Sequence, residues 1–195
     1  MGRQQQYNRA ETIEKAMHLF RSRGFSGTSM RDLESRLDMR PGSIYASFGS
    51  KEGLYEATLD HYAATSLESL DQHMAQAENF LTGLRGFIEQ ILFPADGARN
   101  CMLVKTVSDL NPTTAALKEK AFRMLLEFEK AFIRELRRAQ TTGEVSPTAD
   151  IPTLARFIQV QIIGLRAYGE IQPSKTALNE LLDSSLYAIK SKMTP

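Results

Sequence analysis

Apolar residues recur three and four positions apart along almost the whole chain, and no segment shows the sustained alternation of a half-buried strand. The pattern predicts an all-α fold of about nine helices. The first is bounded by Asn8, with Glu11 three residues on in a capping-box arrangement, and by Gly24, with Arg21 and Arg23 complementing the negative end of the helix dipole. Its buried stripe is expected at Ile13, Ala16, Met17 and Phe20. Thr28 or Ser29 can cap a short second helix with Met30, Leu33 and Leu37 inward, followed by the tight break Asp38-Met39-Arg40. Pro41 suits the first turn of a third helix ending near Phe48-Gly49, because its missing N–H has no intrahelical partner there. Ser50 caps a fourth helix reaching toward Leu70. Further helices are expected over 77–93, 100–110, 112–140, 152–168 and 175–190, separated by Pro94-Ala95-Asp96-Gly97, Asn111-Pro112, the stretch 142–150 and Gln172-Pro173-Ser174.

Three short helices with so brief a second turn follow the helix-turn-helix plan, whose third helix is narrow enough to enter the major groove. The chemistry of that helix carries the argument. Arg40, Gly42, Ser43, Ala46 and Ser47 form a low-profile face where backbone and DNA can approach closely. Arg40 is placed to bond guanine bidentately and Ala46 to touch a thymine methyl, while Tyr45, Ser47 and Lys51 suit phosphate oxygens. Ile44 and Phe48 read as core, and Tyr45 fits either the core or the DNA face.

The run from Thr28-Ser29-Met30-Arg31-Asp32-Leu33 through Met39-Arg40-Pro41-Gly42-Ser43-Ile44-Tyr45-Ala46-Ser47-Phe48-Gly49-Ser50-Lys51 closely resembles the DNA-binding domain of the tetracycline-repressor (TetR) family. Ala16 to Phe25 is similar to that family's first helix. The resemblance implies phosphate contacts at Thr28, Tyr45, Ser47 and Lys51, and a base-reading face of Arg40, Pro41, Gly42, Ser43 and Ala46. Two positions depart from the common pattern. Glu34 replaces a small residue, and Asp38 replaces a glycine where the turn needs a left-handed backbone, a conformation Asp tolerates.

Beyond residue 53 the resemblance is one of layout. It implies an N-terminal DNA-binding domain over 1–52 and a ligand-sensing and dimerisation domain over 53–195, with the last two helices forming an intersubunit bundle. Phe157, Gln161, Gly164, Leu165, Leu178, Leu182 and Leu186 are the expected dimer contacts, since these helices carry more apolar width than one intrachain face needs. Among the middle helices His61, Tyr62, Phe87, Ile91, Met102, Met124, Phe128 and Phe132 are expected to line a ligand pocket.

Composition narrows the function. A chain of 195 residues, 42% hydrophobic, can bury a real core, which argues against disorder. Residues 1–52 carry nine Lys/Arg against six Asp/Glu, the remainder fifteen against seventeen, a mildly basic head on a neutral body. The scattered His18, His61 and His73 and the single cysteine leave no metal-ligand spacing, and no glycine-rich phosphate loop is present, so neither an enzyme nor a cofactor is expected. Without a long apolar run or a signal-peptide-like start, the expected location is cytoplasmic, away from membranes. Cys101, expected to open a helix beside Arg99 and one turn before Lys105, is a candidate redox sensor, and Arg99 to Lys105 resembles a stretch of the electrophile-sensing N-ethylmaleimide reductase repressor subgroup. The reading is a homodimeric transcription regulator, a repressor that leaves a palindromic DNA operator on a small-molecule or electrophile signal. The alternative is a helical protein-interaction module that does not read DNA.

Overall fold

The computed structural model describes residues 8–95, 97–108, 114–172 and 174–194. These form nine α-helices: α1 (Arg9–Arg23), α2 (Met30–Leu37), α3 (Pro41–Phe48), α4 (Lys51–Gln76), α5 (Phe80–Leu92), α6 (Met102–Ser108), α7 (Ala115–Thr141), α8 (Ile151–Ile171) and α9 (Lys175–Met193). The expected break at Asn111-Pro112 lies outside the described residues, as do Asp96 and Pro173 of two others.

Local chemistry sets most boundaries. Asn8 Oδ1 accepts the Ala10 and Glu11 amides at the start of α1, and the Glu11 carboxylate pairs with Lys15 one turn on (2.6 Å). Thr12, not Ile13, completes the buried stripe with Ala16, Met17 and Phe20. Ser29 and Asp32 form a reciprocal capping box on α2: the Asp32 amide donates to Ser29 Oγ (3.2 Å) and the Ser29 amide to the Asp32 carboxylate (2.9 Å). Asp38 ends α2 in the left-handed region (φ 52°, ψ 44°), so the glycine replacement noted above is absorbed by the residue type best able to do so. Helix α4 runs past Leu70 because no breaker interrupts it before Ala77. Asn79 then caps α5 by accepting the Thr82 amide, which moves the start of that helix from 77 to 80. Asp150 and Ser174 cap α8 and α9 in the same way.

Two apolar clusters organise the chain. One gathers α5, α7, α8 and α9 around Leu84, Ile88, Phe132, Ile158 and Leu182. The other packs α1–α3 against the first half of α4 and also takes in Met102, Leu103, Leu117 and Ala121 from α6 and α7. The three N-terminal helices therefore share their core with the body. At its centre Tyr55 meets Phe20 edge-on (centroids 4.7 Å) and Phe25 (5.1 Å). The Tyr55 hydroxyl lies 2.7 Å from Thr106 Oγ1; because Thr106 donates its own proton to the Met102 carbonyl, Tyr55 is the donor.

Two stability measurements follow. Tyr55→Phe removes one buried hydrogen bond and is expected to cost about 1 kcal/mol in urea unfolding. The Ser29 hydroxyl and amide, bonding to Asp32, hold its carboxyl below the usual carboxylate value. The contribution of Asp32 should thus be complete above about pH 4 and fade as pH falls through the lowered folded-state value. An Asp32→Asn variant should lose that part of the acid dependence when unfolding is followed against pH.

Candidate nucleic-acid interface and cavity

Helix α3 is anchored by Ile44, with Phe48 packed partly buried against the same apolar cluster. Ile44 is fully buried, while Arg40, Pro41, Gly42, Ser43, Tyr45 and Ala46 are exposed together and Ser47 is half-buried. A Cβ at Gly42 would meet nothing within 4 Å, so this face is open to close approach. Tyr45, left between core and surface by its spacing, is 47% exposed. The far end of α3 is tied to α1: Arg9 donates to the Ser47 carbonyl (3.1 Å) and stacks 4.7 Å over the Phe48 ring. Arg9 escaped the sequence reading because it sits 38 residues from its contact.

Two expected phosphate ligands are placed differently. Thr28 is fully buried, its hydroxyl donating to the Gly24 carbonyl (2.7 Å) where the chain turns back between α1 and α2, so its side chain has no surface to offer. Lys51 is half-buried with its ammonium 4.2 Å over the Phe25 ring. Burial lowers its pKa, opposed in part by Glu52 and Asp32.

Two adjoining cavities lie between α4, α5 and α8. The first is mostly apolar, with about 40 Å³ of free interior; Tyr62, Phe87, Ile91, Phe128 and Phe132 line it as expected, joined by Cys101. His61, Met102 and Met124 do not. His61 is rotated off the cavity one position before Tyr62, and the two methionines pack in the cluster around Phe20 and Tyr55. The polar lining residues Ser66, Gln159 and Arg166 were missed, although Arg166 is the one charge on α8 between Arg156 and Glu170. The second cavity, about 200 Å³, shares Tyr62, Ser66, Phe87, Ile91 and Arg166 with the first and extends to Met17 and Arg21 of α1.

Arg166, only 7% exposed, donates through Nε to the Arg99 carbonyl (2.5 Å) and through Nη2 to the Asn100 carbonyl (2.6 Å). Burial works against its charge, yet Tyr62 and Cys101, with a smaller part from Glu170, leave its pKa above the usual value. Burial first, then Cys101, pushes the Tyr62 hydroxyl up to about 12. The expected pairing of Cys101 with Lys105 is not found: the Lys105 ammonium donates to the Arg21 and Ser22 carbonyls at the end of α1 (3.2 and 3.1 Å). Cys101 precedes α6, whose Lys105 amide bonds its carbonyl, and Arg166 is the cation that interacts with it.

The last two helices also correct the expected dimer contacts. Leu165, Leu178, Leu182 and Leu186 are buried within their own chain, which leaves them little surface for a second copy. Phe157 and Gln161 are half-buried, under Lys192 (5.1 Å to the ring) and bonded to Ser185 (3.1 Å) respectively. Gly164 is exposed with open space above it, and Val160 (62% exposed), Tyr168 and Ile171 follow at helical spacing on the same face of α8, while Leu181 and Tyr187 (76%) are exposed on α9. Among the described residues no cluster of metal-ligating side chains occurs, and no helix is long and apolar enough to cross a membrane.

Comparison with known proteins supplies the family. Residues 13–58 match the model of bacterial regulatory proteins of the tetR family, and residues 81–184 match the tetracyclin repressor-like C-terminal domain. The chain is similar to the HTH-type transcriptional repressor ComR of Escherichia coli (strain K12), 27% identical over 168 residues, 84% of this chain and 80% of ComR. It is also similar to the HTH-type transcriptional regulator YezE of Bacillus subtilis (strain 168), 24% identical over 95% of this chain and 98% of YezE. A cysteine-substituted form of the TetR family transcriptional regulator CifR, solved with 26-base-pair double-strand operator DNA, superposes with a TM-score of 0.87 at 25% identity, covering 95% of this chain and 99% of that one.

The two neighbours Ile44 and Tyr45 should respond oppositely to truncation. Ile44→Ala is expected to cost about 2–5 kcal/mol in chemical unfolding, and Tyr45→Ala to stay within about 0.5 kcal/mol.

Proposed function

Because the chain belongs to the TetR family of bacterial regulatory proteins, it is a DNA-binding regulator and not an enzyme, and we propose that it is a repressor released from a palindromic operator by a small-molecule or electrophile signal. The observation that carries the reading is the exposed face of α3, where Arg40, Gly42, Ser43, Tyr45 and Ala46 surround a backbone that no bulky side chain shields. In the major groove Arg40 reads guanine, Ala46 contacts a thymine methyl, and Tyr45 and Ser47 hold phosphates. Lys51 reaches a phosphate after leaving the Phe25 ring, or attracts it from there. Residues 1–52 act as the reading head and 53–195 as the sensing and dimerising part. The repressor ComR supports this direction of regulation, and the operator-bound CifR supports binding to operator DNA.

Two copies pair through the exposed apolar face of α8 and α9, around Gly164 and centred on Val160, Tyr168 and Tyr187. Pairing sets two α3 helices against half-sites about 34–36 Å apart, or a multiple of that. The effector enters the cavity beside Tyr62, Phe87 and Phe132, or an electrophile modifies Cys101, which lines the same cavity beside Arg166. Either event favours a dimer whose reading helices no longer match both half-sites, and a coupling of about 1–3 kcal/mol suffices to empty the operator.

Selection of genomic DNA fragments by the purified protein tests the reading. Enrichment of a palindrome is expected, lost in an Arg40→Ala/Tyr45→Ala variant that keeps its helical spectrum. Val160→Asp/Tyr187→Asp should give a folded monomer with no palindrome preference. Oxidant should release the operator from the wild type and not from Cys101→Ser. Absence of any enriched fragment would leave a protein-interaction module as the better account.

A further inference from the structure

Resting on the reading of this cavity as the effector site, we propose that the two adjoining cavities form one site for a small organic monocarboxylate, with its carboxylate on Arg166 and its hydrocarbon part against Phe87 and Ile91. Three observations carry the assignment. Arg166 is a buried cation held by two backbone carbonyls, and among the described residues no carboxylate lies within 4 Å of it. A buried charge normally carries a counter-charge. Glu170, the acid that acts on it at longer range, is exposed and accepts the Arg99 amide (3.0 Å). The two carbonyls engage Nε and Nη2, and the Tyr62 hydroxyl also bonds the guanidinium but is a neutral phenol, so the cation still lacks a counter-charge and can receive one carboxylate.

The lining agrees in sign. Neither cavity has an aspartate or glutamate in its wall, although the chain holds 23 of them. The larger cavity offers Ser66 and the Gln90 amide as donors, Gln90 being held through its Oε1 by the Ser69 hydroxyl (2.5 Å), and a second guanidinium, Arg21, already bonded to the Ala98 carbonyl. Tyr62 stays a neutral phenol at working pH and so adds an O–H donor rather than a competing negative charge.

Size sets the rest of the ligand. About 200 Å³ accepts a single ring or a short branched chain, given that an apolar cavity of roughly 150 Å³ holds benzene. The adjoining slot of about 40 Å³, walled by Leu103, Phe128 and Phe132, receives a methyl or chlorine substituent. A carboxylate bonded to Arg166 neutralises the charge that the Arg99 and Asn100 carbonyls share and so weakens those two bonds. Asn100 in turn donates to the Arg21 carbonyl of α1 (2.9 Å), so occupancy reaches the reading head through two bonds.

Calorimetry on the DNA-free protein with benzoate, 4-methylbenzoate and phenylacetate, set against benzamide and methyl benzoate, tests the charge assignment. The acids should bind at least tenfold more tightly than their neutral partners, and the 4-methyl acid more tightly than benzoate. Arg166→Gln should abolish the acid preference; should that variant fail to fold, Ser66→Leu, which fills the shared wall, should weaken all of these ligands while leaving the unfolding transition in place. Neutral analogues binding as well as the acids, no binding across the series, or an acid preference that survives in folded Arg166→Gln would overturn the proposal. Operator release, read separately by fluorescence anisotropy, isolates the two readings: acid binding without DNA binding contradicts the regulator reading alone, and release by the neutral analogues contradicts the anion assignment alone.

Discussion

The connection between α5 and α6 is held from both sides, and the placement of the N-terminal helices depends on it. Arg166 of α8 takes the Arg99 and Asn100 carbonyls, while Asn100 and Lys105 take the last carbonyls of α1, and Arg21 of α1 returns a bond to the Ala98 carbonyl. Hydrogen bonds to charged groups contribute about 1.5–3 kcal/mol each, and these sit over an apolar cluster that α1 shares with α4, α6 and α7. Lys105 also serves the end of α1 as a cation at the negative pole of a helix. The three N-terminal helices are thereby fixed to the helices that follow by a polar seam above a common core, not by a flexible linker.

Such a seam suits regulation. Its members are bonds between groups distant in sequence, each replaceable by a ligand atom or water, whereas the packed rings of Phe20, Phe25 and Tyr55 beneath it tolerate little continuous deformation. A change at Cys101 or Arg166 thus has a short physical route to α1, and from Arg9 to the end of α3. Whatever displaces the Arg166 fork alters how α1, and with it α3, is held relative to α8, the helix whose outer face is available for pairing.

Local rules made the helices and the head legible. Asn8, Ser29, Pro41, Ser50 and Gly24 mark boundaries through backbone chemistry that needs no tertiary context, and Asp38 adopts the left-handed turn its type allows. What failed was the distinction between faces of helices apolar on more than one side. Leu165, Leu178, Leu182 and Leu186 have the spacing of an interface but fill their own chain's core, while Val160, five residues before Leu165, and Tyr187, next to Leu186, stay outside. The same ambiguity put His61, Met102 and Met124 into the cavity. Thr28 and Lys105 were misplaced for another reason: their partners are carbonyls exposed by the end of α1, and no side-chain pattern announces those. Arg166, by contrast, was visible as a charge amid Ile162, Ile163 and Leu165 but was outweighed by the apolar pattern around it.

The central claim is that paired copies read DNA through α3. Its most direct test is the stoichiometry and salt dependence of binding to the selected operator, measured together by sedimentation and fluorescence anisotropy. The account predicts two chains per operator, or a multiple of two, and an affinity that falls linearly on logarithmic axes with a slope of about −0.9 for each phosphate contacted. A single chain bound to DNA, or an affinity indifferent to salt, would contradict it.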